Sequence, residues 1–189
     1  MMMPSCPIYA KNEPYNCAFS KNLGTQMMDR TDLRILETLQ ADGRLSNIEL
    51  AEKVSLSASP CLRRVRALEE DGIISSYAAL LNPEKVGLGL TVHLDVALDK
   101  RDAKARDRLK AAVQTWSEVT WCHSLSGEMD YTMQVVMPDL KHYTAFLMDR
   151  VLTLPGVVNV KSAFVLEKVK ETTVLPLTYI AHSRGTDAK

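Results

Sequence analysis

Apolar residues recur every three or four positions in the first part of the chain and every second position in much of the rest, which predicts helices first and strands later. The first helix is predicted over 29–43, with Asp29 or Thr31 as its cap and Gly43 as its stop. Its apolar stripe consists of Leu33, Ile35, Leu36 and Leu39. Two more helices follow, and three helices make a minimal folded unit.

Residues 46–72 predict two short helices joined by a tight turn, the arrangement of a helix-turn-helix. Ser46 and Glu49 have the S-x-x-E spacing of a capping box, so a helix begins at Ser46. The segment SLS at 55–57 breaks the helical period and forms the turn. Ser57 or Ser59 can cap the next helix, and Pro60 suits its first turn because a missing N–H costs nothing there.

The outward face of this last helix is predicted to be basic. At about 100° per residue, its buried stripe holds Ala58, Cys61, Leu62, Val65 and Leu68. Arg63, Arg66 and, at the margin, Arg64 face away, and acidic residues come only at the distal end, which is typical of a recognition helix. The predicted DNA contacts are Ser57, Ser59, Pro60, Arg63, Arg64 and Arg66. The alternative is that this basic face is only exposed to solvent and binds no specific partner.

Residues 73–87 alternate weakly around a polar turn and are ended by Asn82 and Pro83, as expected of a short wing hairpin. The interpretation is a winged helix-turn-helix DNA-binding domain over 28–85.

The rest of the chain predicts a four-stranded sheet with two helices. The segment LTVHLDVALD alternates strictly, with one face formed by Leu90, Val92, Leu94, Val96 and Leu98. A helix, a hairpin of VTWCHSLS and YTMQVVM around GEMD, a second helix and the strand VVNVKSAFVLEKV follow. The second helix carries its stripe at Leu140, Tyr143, Leu147, Val151 and Leu154. The order βαββαβ predicts a ferredoxin-like domain of the dimeric α/β barrel type over 88–177, so the fold class is α+β.

Two helices cover only one face of such a sheet, which leaves the other face open. The last strand nevertheless places apolar residues on both sides, Ala163 and Val165 on one and Phe164 and Leu166 on the other. A second copy of the same sheet would cover the open face by two-fold symmetry and would also present two helix-turn-helix units to adjacent half-sites. We therefore expect a homodimer.

Composition sets outer limits on function. Lysine plus arginine and aspartate plus glutamate number 23 each, so DNA affinity has to come from a local patch and from dimerisation. The four cysteines include no C-x-x-C pair, which indicates a reduced, cytoplasmic protein. No apolar run approaches the roughly 18 residues that span a membrane. The four histidines have no metal-ligand spacing, so no metal site and no cofactor are predicted.

Both ends of the chain lack a hydrophobic period. Residues 1–27 contain prolines and mixed polarity, and we expect a disordered leader, with the natural start at Met27 or Met28. Residues 178–189 are predicted to be a flexible tail.

Residues 28 to about 177 resemble the Lrp/AsnC, or feast/famine, transcription regulators. The resemblance rests on MDRTDLRILETLQADGRLSNIELAEKVSLSASPCLRRVRALEEDGII in the first half, and on LSGEMDYTMQV and LPGVVNVKSAFVLEKVKETTVLPL in the second. It implies a regulator of amino-acid metabolism genes that binds double-stranded DNA. In this family dimers assemble further into octamers, and a free amino acid binds in clefts between dimers. The subgroup that activates amino-acid catabolic genes is the most similar, on the segments SPCLRRVRALEEDGII and LLNPEKVGLGL and the ending TTVLPL.

The resemblance also implies the residues of the effector cleft, which are Ser124, Gly127, Glu128, Asp130, Leu140, Ala163, Phe164 and Val165. The turn chemistry agrees, because Gly127 leaves room and backbone freedom for a ligand and Asp130 can pair with an α-ammonium group. An ordinary hairpin turn is the alternative. The chain departs from some members at Met129 and Ser124, which bears on the side chain that the pocket accepts.

Two other functions remain open from the sequence. A βαββαβ module can be a small dimeric enzyme, here fused to a DNA-binding domain, although the chain contains no evident catalytic constellation. The protein can also be an architectural DNA-binding protein that has no effector.

Overall fold

The computed structural model describes residues 28–182, which form two compact units. The N-terminal unit comprises residues 28–76 together with 173–182, and the sheet unit comprises residues 77–172. The predicted leader at 1–27 and the last seven residues of the predicted tail lie outside the described residues.

Three helices build the N-terminal unit: α1 (Arg30–Ala41), α2 (Asn47–Lys53) and α3 (Ala58–Glu70). Their core consists of Ile35, Leu36, Leu50, Ala51, Val54, Cys61 and Leu68. Two predicted helix starts are confirmed. Asp29 and Asp32 form a capping box at α1, and Ser46 and Glu49 form one at α2. Ser57 is the N-cap residue of α3, but its side chain makes no capping hydrogen bond.

The buried stripe of α3 differs from the prediction. Ala58 is exposed and Leu62 is 37% exposed, whereas Arg64 is half-buried. The face that packs against α1 and α2 is formed by Cys61, Val65 and Leu68, with Arg64 beside them, and is therefore rotated away from Leu62. Periodicity alone defines a stripe only to within one neighbouring position, because it does not specify where the packing helices lie.

The predicted wing hairpin is wrong. Residues 73–89 contain no strand, and the regular element within them is a short 3₁₀ helix at Glu84–Val86. The adjacent Leu80 and Leu81 side chains are 76% and 71% exposed, so the apolar residues of this segment do not pack as one face of a hairpin. A hairpin without such a face is marginal. Residues 77–85, which the sequence analysis placed in the helical domain, belong to the sheet unit.

The sheet unit has the predicted βαββαβ order. Its elements are β1 (Leu90–Leu98), α4 (Ala105–Thr115), β2 (Val119–Ser124), β3 (Tyr131–Met137), α5 (Leu140–Phe146) and β4 (Val157–Phe164). The sheet is antiparallel with the strand order β2-β3-β1-β4, as expected of a ferredoxin-like plan.

The alternation predicted for β1 is confirmed, because Val92, Leu94 and Val96 are fully buried together with Met133 and Val135 of β3. The opposite face of the sheet carries His93, Trp121 and His123. Trp121 stacks on His123 with ring centroids 4.9 Å apart and meets the ring of His93 edge-on at 5.5 Å.

The stripe of the second helix is correct in part. Tyr143 and Val151 are buried, but Leu140 is 57% exposed and Phe146 takes an unpredicted place in the core. After α5 the chain forms a π-helical turn, Leu147–Val151, and the predicted stripe residues Leu147 and Leu154 also pack against the core.

The segment after the sheet returns to the N-terminal unit. The Gln40 side-chain amide of α1 donates from Nε2 to the carbonyl oxygen of Leu175 at 3.3 Å, and Gln40 Oε1 accepts from the Leu175 N–H at 2.6 Å. Leu177 packs against the N-terminal core, and a short helix α6 (Thr178–His182) follows. Residues 173–177 are therefore part of the N-terminal unit, and the start of the predicted tail is helical.

Candidate DNA-binding surface and effector site

The outer face of α3 is the candidate DNA-binding surface. Ser59, Leu62, Arg63 and Arg66 are all exposed on it. Among the described residues, neither Arg63 nor Arg66 takes part in an ion pair, so both guanidinium groups are available to phosphate or base-edge acceptors.

The start of α3 is held in place by α2. The Asn47 side chain donates from Nδ2 to the carbonyl oxygen of Ala58 at 2.8 Å. Ser57 is exposed at the N-cap, and Pro60 is half-buried in the first turn. The turn before α3 contains Ser55 at φ 59°, a left-handed conformation that is uncommon for residues other than glycine. The contact made by Asn47 was not predicted, because the sequence shows no spacing rule for it.

Arg64 lies in a different environment from the other two arginines. Its NH1 nitrogen is 2.7 Å from Asp29 Oδ2 and 2.8 Å from Asp32 Oδ1. Hydrogen bonds to Asp32 and Asp29 raise the pKa of Arg64. The backbone N–H of Asp32, and after it Arg64, lower the pKa of Asp29. Arg64 was predicted to contact DNA, but its charge is already matched by two carboxylates of α1, which the helical periodicity of α3 could not reveal.

The first group of predicted effector residues lies at the β2–β3 turn. Asp130 is largely buried, and its Oδ2 accepts a hydrogen bond from the Leu98 N–H at 2.8 Å. Its Oδ1 lies 3.9 Å from Arg106 NH2. Ser124 is exposed at the end of β2, and Glu128 pairs with Lys161 of β4 at 3.2 Å. Asp130 thus fastens the turn to β1 and keeps one oxygen directed toward a cation.

Gly127 does not have the conformation on which its prediction relied. The left-handed glycines of the described chain are Gly72, Gly87 and Gly156, and Gly127 is not among them. A Cβ atom at Gly127 would meet no atom within 4 Å. The turn is closed instead by the Leu125 N–H, which donates to the Asp130 carbonyl oxygen at 2.8 Å.

The second group of predicted effector residues lies elsewhere on the sheet. Phe164 pairs with Val92, whereas Tyr131, next to Asp130, pairs with Val96. Four residues along a strand correspond to about 13 Å. Ala163 and the adjoining Val165 are on the helix-free face, and Phe164 on the helix-covered face meets Tyr143 edge-on. Asp130 and Phe164 are thus separated along the sheet within one chain, although Glu128 of the first group reaches β4 through its ion pair with Lys161.

Leu140 is the first residue of α5. Its exposed side chain lines an open surface groove together with Lys141, Thr144, Ala145 and Met148. Met129, the position at which the chain departs from some family members, is buried.

Metal and thiol chemistry find no support in the part of the chain that the structure describes. Residues 28–182 contain no cluster of three or more His, Cys, Asp or Glu side chains that could hold a metal ion. Burial raises the pKa of the Cys122 thiol to about 11, so it stays protonated, and burial also raises the pKa of Cys61. None of the described helices is long and apolar enough to cross a membrane.

Two family models match separate parts of the chain. Residues 28–75 match the family described as winged helix-turn-helix DNA-binding, and residues 91–175 match the Lrp/AsnC ligand binding domain. The leucine-responsive regulatory proteins of Salmonella typhimurium and Escherichia coli K12 are each 40% identical over 156 residues, which cover 82% of this chain and 95% of theirs.

Solved structures extend this likeness. A transcriptional regulator of Neisseria meningitidis in complex with L-Met is 45% identical, with a TM-score of 0.79 over 82% of this chain and 99% of that one. An AsnC family regulator of Agrobacterium tumefaciens is 39% identical, with a TM-score of 0.76 over 81% and 99%. These relatives are named as regulators, which decides against the enzymatic alternative. The chain belongs to the Lrp/AsnC family and is a DNA-binding transcriptional regulator with an amino-acid-binding domain.

Proposed function

We propose that this regulator binds specific DNA sites through α3 and changes its activity when a free amino acid occupies the sheet unit, and that it controls genes of amino-acid metabolism. The observation that carries the proposal is the exposed basic face of α3, with Arg63 and Arg66 free of ion pairs among the described residues, in a chain whose other half belongs to a ligand-binding family.

The proposed DNA contacts are Ser57, Ser59, Pro60, Arg63 and Arg66. Arginine can read guanine through two hydrogen bonds in the major groove, and serine hydroxyls suit phosphate oxygens. Ser59, Pro60 and Arg63 lie in the first half of α3 and Arg66 lies just past its midpoint, while the last turn carries Glu69 and Glu70. The helix therefore has a direction in which it can enter a groove without bringing carboxylates against phosphates.

Assembly of several copies is part of the proposal. One face of the sheet carries an aromatic and histidine cluster and lies opposite the face on which α4 and α5 pack, and a second sheet would cover it. The two groups of effector residues lie at different places on one sheet, so a cleft that uses both draws them from different copies. We propose a homodimer that assembles further, to an octamer as in the family. Sedimentation at micromolar concentration tests the dimer, and a monomeric mass would overturn it.

The proposed effector is an amino acid with an aliphatic or thioether side chain. The relatives are named for leucine, and one similar structure holds L-Met. Asp130 Oδ1, which the Leu98 N–H does not occupy and which lies 3.9 Å from the Arg106 guanidinium, can accept from an α-ammonium group. Apolar surface at Leu140 and Phe164 can contact the side chain.

Thermal unfolding in the presence of each of the twenty amino acids tests the effector. A ligand at 100 times its dissociation constant adds about 2.7 kcal/mol to the free energy of unfolding. We expect a shift with leucine or methionine and none with glutamate. If no amino acid shifts the transition while the protein still binds DNA, the architectural function is correct and the effector proposal fails.

A further inference from the structure

We propose that Arg64 is a positioning residue for DNA recognition, which fixes α3 to the start of α1 and does not itself contact DNA. This inference rests on the proposed role of α3 as the recognition helix. The direct observation is that one guanidinium nitrogen of Arg64 lies within 2.8 Å of oxygens from both Asp29 and Asp32. The three residues are referred to below as the Arg64 anchor.

Each of the two carboxylates uses one oxygen to cap α1 and the other to bind Arg64. Asp29 Oδ1 accepts from the backbone N–H groups of Thr31 and Asp32, both at 2.8 Å, and Asp32 Oδ2 accepts from the Asp29 N–H at 2.9 Å. The capping box of α1 therefore uses one oxygen of each carboxylate, and Arg64 NH1 takes the other oxygen of each. The same two side chains start α1 and hold α3, so the position of α3 is tied to the first turn of α1.

Moving the Arg64 guanidinium from this anchor to a DNA phosphate would cost free energy. Its departure would leave two carboxylates beside α3, on a surface that has to approach a polyanion. Arg63 and both aspartates line the same hollow, so the unmatched charges would also lie close to an arginine that is proposed to contact DNA. Arg64 is further restrained because its side chain is about one-third exposed. Its role is therefore to orient the helix and to neutralise the two carboxylates.

The salt dependence of binding separates a positioning residue from a phosphate contact. Each phosphate that a protein neutralises contributes about 0.9 to the slope of log K against log salt concentration. The probe is a duplex selected by the wild-type protein from a random-sequence library, with a scrambled duplex as the reference. For Arg64→Ala we expect several-fold weaker binding to the selected duplex, a smaller preference over the scrambled duplex, and an unchanged slope.

Arg66→Ala is the matched control, because Arg66 lies on the same helix and is exposed without an ion pair among the described residues. Its slope should fall if α3 faces DNA. A lower slope for Arg64→Ala as well would overturn the proposal for Arg64 while leaving the recognition helix intact. If neither Arg66→Ala nor Arg63→Ala affects binding or slope, the proposed function of α3 itself fails.

A second variant changes the two aspartates of the Arg64 anchor and can be measured if Arg64→Ala does not fold. The double change Asp29→Asn and Asp32→Asn keeps side chains that can cap a helix but removes the charges that hold Arg64. A DNA-contacting Arg64 would then be released, and affinity would rise. A positioning Arg64 would lose its anchor, and the preference for the selected duplex would fall despite the loss of two negative charges.

The binding measurements are made well below the unfolding temperature of every variant, so that loss of folded protein does not contribute. Arg64→Lys provides the conservative test, since its ammonium nitrogen keeps the charge and can donate to both carboxylates but lies on a shorter side chain. We expect it to restore part of the preference for the selected duplex. Equal preference in Arg64→Ala and the wild type would overturn the proposal.

Discussion

The C-terminal segment should stabilise the N-terminal unit, and the double change Gln40→Ala and Leu177→Ala tests this. Gln40 forms two hydrogen bonds with the main chain of Leu175, and Leu177 packs on the core of α1, α2 and α3. Gln40 and Leu175 are 135 positions apart, so this contact joins distant parts of the chain. Without these hydrogen bonds and the packing of Leu177, the segment has little to hold it on α1.

The magnitude follows from these contacts. A hydrogen bond contributes about 0.5–1.5 kcal/mol net, and these two are solvent-exposed, so about 1 kcal/mol for the pair is reasonable. Full burial of a leucine is worth about 1.5–3 kcal/mol. Leu177 is only partly buried, so its truncation should cost about 1 kcal/mol. The double variant should therefore lower the free energy of unfolding of the N-terminal unit by about 2 kcal/mol.

Hydrogen exchange measures this free energy for one unit at a time. A loss of about 2 kcal/mol corresponds to roughly thirtyfold faster exchange of the core amides of α1, because each 1.4 kcal/mol is a factor of ten. Both tryptophans of the chain, Trp116 and Trp121, belong to the sheet unit, so their fluorescence reports that unit separately.

The control is Leu175→Ala, because this side chain is 67% exposed while its main chain makes the two bonds. It should leave the exchange of α1 unchanged. If the double variant exchanges as slowly as the wild type in 30–41, the segment contributes no stability and the reasoning is refuted.

Three further outcomes are expected. Asp130→Asn keeps an acceptor for the Leu98 N–H but loses the charge. It should abolish the thermal shift caused by the effector and leave DNA binding unchanged. A retained shift would exclude Asp130 from the site. Arg63→Ala should weaken specific DNA binding by about 1–3 kcal/mol if Arg63 reads a guanine, and unchanged affinity on combining it with Arg66→Ala would exclude α3 as the recognition helix. The pKa of Asp29 is lowered in the folded chain, so its contribution to stability is present above its ordinary pKa of 3.8 and is lost as the pH falls through the folded value. The difference in unfolding temperature between the wild type and Asp29→Asn should therefore shrink on acidification from pH 5. A constant difference would contradict this.

Local rules predicted those parts of the fold that depend on neighbouring residues. The capping box at Ser46 was predicted because both partners lie within three positions, and Asp29 was one of two predicted caps of α1. The strict alternation of β1 predicted its buried face, since one side of the strand packs on helices and the other does not. The order of elements then allowed few topologies, and the observed strand order is the expected one.

The errors arise where distant or irregular features decide the structure. Periodicity placed Leu140 in the buried stripe, but Leu140 is the first residue of α5 and its side chain lies in an open surface groove. The role of Arg64 depends on acids that lie 32 and 35 positions earlier, and nothing in α3 indicates them. Resemblance to a family supplied the proposed effector residues, but it did not show that they fall into two groups on one sheet.

Charge and geometry together explain why a single chain is an incomplete DNA-binding protein. The formal net charge is zero, so no overall field attracts DNA. With Arg64 matched by two carboxylates, Arg63 and Arg66 are the arginines of α3 that remain for contacts, and the two of them supply only part of a typical specific interface. A second copy doubles these contacts and would also cover the open sheet face. Since the two groups of effector residues are also apart in one chain, assembly is the one change that would complete the DNA-binding surface and the effector cleft together. An effector bound in such a cleft would act on DNA binding by changing how copies are held together, without a need for new contacts on α3.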